Sequence, residues 1–269
     1  MNKKLELAPV LTIAGSDCSG GAGLEADLKA FSAQGTFGMA VVLSVVALNT
    51  KKIYGYHLVP LDVIAQQFEA IFDDIPPLAL KTGLLGNAPT IELVLAEFKK
   101  RKPKNVVIDP VMFSKHGDRM IDDASFELYK GELMSYADVL TPNKLELELL
   151  SGRKVENLEQ LKDASRALID LGAKGVLAKG GRYFPNAIDV FNDGKDLHEL
   201  PGFRLDTTSD HGAGCTLSAA IAANLAHGTS RLDAVIAAKN YTYEAMRQAP
   251  KLGGGHGPLN HFWPFFGEN

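Results

Sequence analysis

The hydrophobic pattern alternates along the chain between two kinds of segment. Short, nearly continuous apolar runs such as VLTIAG and NVVIDPV are typical of strands covered on both faces. These predicted strands span residues 10–15, 40–48, 78–83, 105–111, 137–142 and 175–181. Amphipathic helices are predicted between them, at residues 23–33, 62–72, 89–100, 144–150 and 158–171. The alternation predicts a three-layer α/β/α fold, in which a mostly parallel central sheet lies between two helical layers.

The segment 187–206 interrupts this alternation. Its sequence AIDVFNDGKDLHEL contains two short alternating runs around an Asn-Asp-Gly turn, which predicts a β-hairpin. Helical patterns return at residues 215–226 and 232–246. Among the earlier helices, Asn87 is placed to cap residues 89–100, and Gly172 is placed to end residues 158–171.

Composition narrows the class of protein. The 269 residues are 46% hydrophobic with no linker-like run, so we expect one domain spanning residues 1–269. A net charge of -4 gives no basic surface for nucleic acid or anionic membranes. Glu6 and Pro9 interrupt the first apolar stretch, which we interpret as a buried strand rather than a secretion signal. Cys18 and Cys215, far apart in glycine-rich loops, suggest reduced thiols in the cytoplasm.

Several common catalytic motifs are absent from the sequence. It contains no G-x-x-x-x-G-K-[ST] phosphate loop, no H-E-x-x-H and no C-x-x-C. Gly21, Gly23 and Ala26 match the dinucleotide pattern G-x-G-x-x-A, but no acidic residue lies between Asp27 and Asp62 to bind a ribose. The stretch is either a close-packed turn or a loop around a small substrate with Asp27 facing inward. The local sequence alone favours an ordinary surface position for Asp27.

Carboxylates follow two consecutive predicted strands, at the edge where α/β sheets bind ligands. Asp109 and Glu146 could together hold a nucleotide-bound Mg²⁺. Glu146 also lies in a first helical turn, where a carboxylate simply favours the helix dipole. Lys179 ends a buried strand and precedes two glycines, a position suited to a phosphate contact.

The stretch SDHGAGCTLSAA combines a glycine-spaced loop with the start of a small-residue helix. Gly212 and Gly214 would let backbone N–H groups converge on an anion at the positive end of the helix. We expect the helix start to lower the pKa of the Cys215 thiol, so that its ionised form accepts a proton. The alternative is that Cys215 is an inert, buried residue.

These motifs together resemble the ribokinase-like superfamily, and specifically its hydroxymethylpyrimidine/phosphomethylpyrimidine kinases. The resemblance covers almost the whole chain: LTIAGSDCSGGAGLEADLKAF, KTGLLG, VVIDPVM, TPNKLELELL, LAKGG, HGAGCTLSAAIAA and GGGHGPLNHFW occur in the family's order and spacing. It implies ATP-dependent phosphorylation of 4-amino-5-hydroxymethyl-2-methylpyrimidine and then of its monophosphate, for thiamine biosynthesis. It also implies a homodimer.

The same resemblance assigns roles to residues by their position in the motifs. Cys215 would be the base, and the amides from Gly212 through Ala213 and Gly214 to Cys215 would bind the transferring phosphoryl group. Asp109 and Glu146 would hold Mg²⁺ through water. The nucleotide would lie near Asn143, Lys179 and Lys239, and the pyrimidine pocket would contain Ala22, Asp27, Leu48, Leu84 and Val111.

Two positions depart from the family's pyrimidine kinases. Leu48 stands where a glutamine is usual, and Ala213 where threonine is common, as in a related subgroup of bacterial pyridoxal kinases. That subgroup carries a second cysteine where this chain has Ser114, whereas GHGPLNHF favours the pyrimidine branch. A pyridoxal or pyridoxine kinase is therefore the alternative, and a non-catalytic ligand-binding protein on the same fold is a third hypothesis.

The polar segment FSKHGDR, residues 113–119, follows a predicted strand and contains a glycine. We hypothesise that it is a lid that excludes water before transfer. His116 and His211 are within loops, where histidines usually face solvent, and neither is assigned a catalytic role.

Overall fold

The computed structural model describes residues 7–113, 119–184 and 186–266. Within them, nine strands form one sheet: β1 (Ala8–Gly15), β2 (Thr36–Leu48), β3 (Ile53–Leu58), β4 (Ala79–Thr82), β5 (Val106–Ile108), β6 (Val139–Leu140), β7 (Val176–Ala178), β8 (Asp189–Asn192) and β9 (Leu197–Leu200). The α-helices are α1 (Gly23–Ala33), α2 (Leu61–Asp74), α3 (Ala88–Arg101), α4 (Asp123–Gly131), α5 (Lys144–Ser151), α6 (Leu158–Asp170), α7 (Ala213–Ala226) and α8 (Arg231–Arg247).

The sheet is parallel in its centre and antiparallel at both edges. Its strand order is β3-β2-β1-β4-β5-β6-β7-β8-β9. The strands from β2 to β7 in this order pair in parallel, while β3 pairs antiparallel with β2, and the β8–β9 hairpin extends the other edge. All the central strands therefore end at one edge of the sheet, and the loops that follow them lie close together.

Consecutive residues of each central strand face opposite helical layers. Val107 of β5 packs with apolar residues of α1, α7 and α8, whereas Val106 and Ile108 pack with apolar residues of α2, α3, α5 and α6. The two faces are both buried because a parallel strand covered by helices on each side has no solvent-facing side chains. This is the three-layer arrangement that the hydrophobic pattern predicts.

Local sequence signals set most of the element boundaries. The Asn87 side chain accepts a hydrogen bond from the Thr90 amide at the start of α3, as expected of a cap. Helix α6 ends just before Gly172, which has a φ of 112°. The predicted hairpin is present as β8 and β9. Helix α7 begins at Ala213, two residues before the predicted start.

Two elements differ from the sequence-based expectation, because neither shows a clear apolar period. Strand β3 was not predicted, and most of its residues are exposed along the edge of the sheet. Helix α4 is nine residues long and buries only Ser125 and Tyr129. Residues 114–118 of the hypothesised lid, residues 113–119, lie outside the described residues; Phe113 and Arg119 at its two ends form an antiparallel bridge. No helix of the described ranges is both long enough and apolar enough to span a membrane.

Candidate active site

The turn between Gly212 and Cys215 precedes α7 and lies against the glycine-rich loop that follows β1. Gly212 has a φ of 84°, a left-handed conformation that favours glycine. A Cβ on Gly212 would lie 1.9 Å from the carbonyl oxygen of Gly21, so no side chain fits there. The Ala213 amide donates to the Asp210 carbonyl. The next amides begin a 14-residue helix, where first-turn N–H groups have no partner within the helix.

Asp109 lies directly after β5 and is enclosed by polar groups from three other elements. Its Oδ1 accepts hydrogen bonds from Thr141 Oγ1 at 3.2 Å and from Lys179 Nζ at 3.3 Å. Its Oδ2 lies 3.5 Å from Ser218 Oγ on α7. Burial alone would lower the pKa of Lys179, but the carboxylates of Asp109 and Glu146 raise it. Lys179 therefore remains a cation at neutral pH.

Glu146 occupies the first turn of α5 and belongs to its capping box. Its Oε2 accepts from the Asn143 amide at 2.8 Å, and the Asn143 side chain accepts from the amides of Leu145 and Glu146. Burial raises the pKa of Glu146 to about 7; Lys179 opposes this rise, and Asp109 adds to it. The helix-start explanation of Glu146 is therefore confirmed by the capping box, and its role as a ligand of Mg²⁺ stays a prediction.

Gly214 brings the turn and these charged groups together. A Cβ built on Gly214 would lie 3.6 Å from Asp109 Oδ2 and 3.6 Å from Lys179 Nζ. Backbone amides at the positive end of α7, a lysine and a carboxylate are thus contiguous. Such a set suits a phosphoryl group, because the amides and the ammonium neutralise its charge.

A cavity of about 820 Å³ opens beside Gly214. Its size is in the range of small-molecule sites. The three residues predicted to contact a nucleotide, Asn143, Lys179 and Lys239, all line it, and so do the aromatic side chains of Tyr183, Phe203 and Tyr243. Lys239 Nζ also pairs with Asp189 and donates to the Ala187 carbonyl at 3.2 Å.

The predicted pyrimidine residues lie outside the lining of this cavity. Ala22, Leu48, Leu84 and Val111 are half-buried. The Leu48 amide and carbonyl both contact Cys18 Sγ, at 3.4 and 3.2 Å. The surface position that the local sequence favoured for Asp27 is wrong, because Asp27 is fully buried.

A buried ion pair explains the position of Asp27, and sequence reasoning missed its partner. Lys81 Nζ lies 2.9 and 2.8 Å from the two oxygens of Asp27, and Thr12 Oγ1 donates to the same carboxylate at 2.6 Å. Although burial alone would lower it, Asp27 raises the pKa of Lys81. The sequence feature that could have revealed this ion pair is the lysine inside the apolar strand LALKTG, since a charge in a buried strand requires a counter-charge.

The expectation of a lowered pKa for Cys215 is also wrong. Burial raises the pKa of its thiol to about 11, although the Lys81 ammonium and the Gly23 amide oppose this rise. The carboxylates of Asp27 and Asp109 raise it further. Cys215 is therefore a neutral thiol at pH 7, because burial outweighs the effect of its position at the start of α7.

The carboxylates near the cavity do not form a metal cage by themselves. Within the described ranges, no three His, Cys, Asp or Glu side chains are grouped to hold a metal. Asp109 and Glu146 already accept protein hydrogen bonds. This set does not form a cage, but it fits Mg²⁺ that arrives on nucleotide phosphates and contacts carboxylates through water.

Known proteins similar to this chain identify its family. A family model described as phosphomethylpyrimidine kinase matches residues 17–260. The chain belongs to the phosphomethylpyrimidine kinase family. It is therefore a phosphotransferase with a ribokinase-like fold, as the sequence motifs implied.

Among relatives of this kinase, the hydroxymethylpyrimidine/phosphomethylpyrimidine kinase of Streptomyces coelicolor is 41% identical over 94% of each chain. The chain spans about half the length of two bifunctional thiamine-biosynthesis relatives. The ADP complex of Bacillus subtilis pyridoxal kinase has a TM-score of 0.89 at 36% identity, covering 95% of this chain and 98% of that one. Phosphomethylpyrimidine kinase from Clostridium difficile 630 has a TM-score of 0.81 at 39% identity, covering 88% and 99%.

Proposed function

We propose that this kinase transfers phosphate from ATP to the hydroxymethyl group of 4-amino-5-hydroxymethyl-2-methylpyrimidine, and then to the resulting monophosphate. The observation that carries the proposal is the convergence of Gly214, Asp109 and Lys179 beside the 820 Å³ cavity. Membership of the phosphomethylpyrimidine kinase family supports the choice of substrate. The product diphosphate would serve thiamine biosynthesis.

In this proposal the nucleotide occupies the cavity near Asn143, Lys179 and Lys239. Asp109 and Glu146 would hold Mg²⁺ through water, and the ion, when bound, would neutralise phosphate charge. The amides at Gly212, Ala213, Gly214 and Cys215 would bind the transferring phosphoryl group, with the Ala213 amide first leaving its bond to Asp210. Most of the acceleration would come from charge stabilisation and alignment.

The pyrimidine would lie on the opposite side of the turn, near Ala22, Leu48, Leu84 and Val111. The buried Asp27 would define the polar end of this pocket. Cys215 would accept the proton of the hydroxymethyl group. Because its thiol is neutral in the ligand-free protein, this step uses the small thiolate fraction, which the Lys81 ammonium and the Gly23 amide stabilise.

Pyridoxal phosphorylation is the second candidate, and two observations favour it. Leu48 has no side-chain polar group to meet the ring's polar edge, and the pyridoxal kinase of Bacillus subtilis is structurally similar over nearly its whole length. A direct test compares kcat/KM for hydroxymethylpyrimidine, its monophosphate and pyridoxal under identical conditions. We expect the two pyrimidines to be preferred, and a marked preference for pyridoxal would overturn this choice.

The variant Leu48→Gln sharpens the comparison, because it restores an amide at this position alone. It should raise kcat/KM for hydroxymethylpyrimidine and leave that for pyridoxal less affected. The third hypothesis, a ligand-binding protein without catalysis, predicts binding of the pyrimidine with no phosphorylated product from any of the three compounds.

We also propose a homodimer located in the cytoplasm. Both cysteines are free thiols, which suits a reducing compartment. At the β3 edge, Ile53, Tyr54 and Tyr56 are more than half exposed, and such exposed apolar side chains along one edge strand suit contact with a second copy. Light scattering of the wild type and of Tyr56→Glu tests the dimer: we expect the wild type to be dimeric and the variant to dissociate.

A further inference from the structure

Two loops with different predicted roles are joined directly to each other. The substrate loop, residues 17–22, contains Ala22, and the anion turn, residues 212–215, contains Cys215. His211 immediately precedes the anion turn, and its Nε2 lies 2.7 Å from Asp17 Oδ2. Because a carboxylate only accepts hydrogen bonds, Nε2 is the donor. Asp17 is 2% exposed, so this bond is shielded from water.

One oxygen atom of Asp17 connects the two loops. Oδ2 accepts from His211 Nε2 and also from the Ala22 amide at 2.8 Å. The other oxygen, Oδ1, accepts from the Ser19 amide and the Ser19 hydroxyl at 2.8 and 2.7 Å. The substrate loop is therefore folded around Asp17, and His211 is the side chain that holds this unit to the anion turn.

Close backbone packing completes the connection. A Cβ on Gly21 would lie 2.3 Å from His211 Cδ2, and one on Gly212 would lie 2.9 Å from the Cα of Ala22. Neither position has room for a side chain, so the substrate loop rests on the anion turn without a gap. A shift of the His211 ring would change the distance between Ala22 and the turn.

We propose that His211 is a positioning residue that fixes the substrate loop against the anion turn through Asp17. This role rests on the proposed function, in which the alcohol of the substrate lies near Ala22 and the migrating phosphoryl group lies on the anion turn. His211 transfers no proton in this account; it keeps the alcohol oxygen in line with phosphorus. A displacement of about 1 Å is enough to lower a transfer rate by roughly 10²-fold.

Two substitutions separate positioning from simple packing. In His211→Gln the side-chain amide can still donate to Asp17, whereas His211→Leu keeps comparable bulk but has no donor. For each variant we would measure kcat, KM for both substrates, the ADP dissociation constant and amide hydrogen exchange across residues 17–22. We expect the Leu variant to lose about 10- to 10²-fold in kcat, with ADP affinity and KM for ATP within roughly threefold of wild type.

Recovery of kcat in the Gln variant and amide hydrogen exchange in the substrate loop complete the test. The Gln variant should recover most of the lost kcat, and exchange in the substrate loop should be faster in the Leu variant than in the Gln variant. Unchanged kcat in His211→Leu would overturn the proposal, and so would an equal loss in both variants. If the wild type phosphorylates none of the vitamin precursors, the proposed function fails, whereas equal exchange in both variants would show that His211 does not hold the loop.

Discussion

Lys81 and Asp27 form an ion pair with an Nζ–Oδ2 distance of 2.8 Å, and neither side chain is exposed to solvent. The pair joins β4 to α1 beneath the loops of the site. Charged groups in such an environment are costly unless each keeps its partner. The pair therefore fixes the position of α1 relative to β4, while Thr12 supplies a further hydrogen bond to the carboxylate.

We predict that Lys81→Met lowers the free energy of unfolding by about 3–5 kcal/mol, because it leaves a buried carboxylate without a counter-charge. The matched double variant Asp27→Asn/Lys81→Met removes both charges and should recover a large part of this loss. Urea denaturation of the four proteins in the double-mutant cycle measures the coupling. Additive losses would contradict a direct pairing.

Gly214→Ala should fold well yet be a poor kinase. An alanine here would make only ordinary contacts with Asp109 and Lys179, and it replaces glycine within a helix. Its methyl group, however, would occupy space between the helix start and the phosphoryl group. We expect unchanged or higher thermal stability and a loss of roughly 10- to 10²-fold in kcat.

Gly212→Ala is the contrasting variant. Its new Cβ would overlap the Gly21 carbonyl oxygen, at a left-handed φ that alanine rarely adopts. This protein should lose stability as well as activity, by about 1–3 kcal/mol or more. Differential scanning calorimetry measures the loss of stability, and the kinase assay measures the loss of activity. Equal stability losses in Gly212→Ala and Gly214→Ala would contradict the geometry of the turn.

The raised pKa of Cys215, about 11, predicts how turnover depends on pH. If its thiolate accepts the substrate proton, kcat should rise between about pH 7 and 10, because the reactive fraction grows as the thiol ionises. The same profile in Cys215→Ala should be flat and lower by about 10²- to 10⁴-fold. A flat profile for the wild type would remove the proton-accepting role.

Asp17 gives a pH dependence of stability at acidic pH, because folding lowers its pKa. Although burial alone would raise it, hydrogen bonds from His211, Ser19 and Ala22 lower the pKa of Asp17 to about 2, against 3.8 for the free side chain. Because folding lowers the pKa of this carboxyl, its ionised form stabilises the fold at pH values above the pKa of the unfolded chain. This contribution to the free energy of unfolding disappears as pH falls from about 4 to 2.

The variant Asp17→Asn isolates this effect. Relative to wild type it should be less stable by about 2 kcal/mol at pH 6, and the difference should shrink towards pH 2. Urea denaturation at several pH values measures it. A difference that is constant over this range would show that the charge of Asp17 is unimportant.

The hydrophobic pattern was sufficient for the central sheet because both faces of each strand are buried, so that apolar runs such as NVVIDPV are unambiguous. It was insufficient for β3, whose side chains are mostly exposed. The same reasoning located Asp109 and Lys179, since residues that follow parallel strands meet at one edge. Gly214 was located instead by the glycine-spaced loop that precedes a helix. Their roles remain predictions.

Tertiary contacts explain what the sequence did not reveal. Lys81 lies within an apolar strand, and only the folded chain brings Asp27, 54 positions away in sequence, beside it. The sign of the Cys215 pKa shift was predicted wrongly because a helix start is a local feature, whereas the burial of the thiol and the nearby carboxylates of Asp27 and Asp109 depend on the folded chain. The bond between His211 and Asp17 has the same long-range origin, spanning 194 positions.

Identification of the reaction product is the most direct test of the central claim. The purified protein would be incubated with ATP, Mg²⁺ and hydroxymethylpyrimidine, and the products followed over time by mass spectrometry, with Gly214→Ala as the control. The account predicts that pyrimidine monophosphate forms first and diphosphate follows, both much more slowly in the control. ADP and inorganic phosphate without any phosphorylated pyrimidine would contradict it.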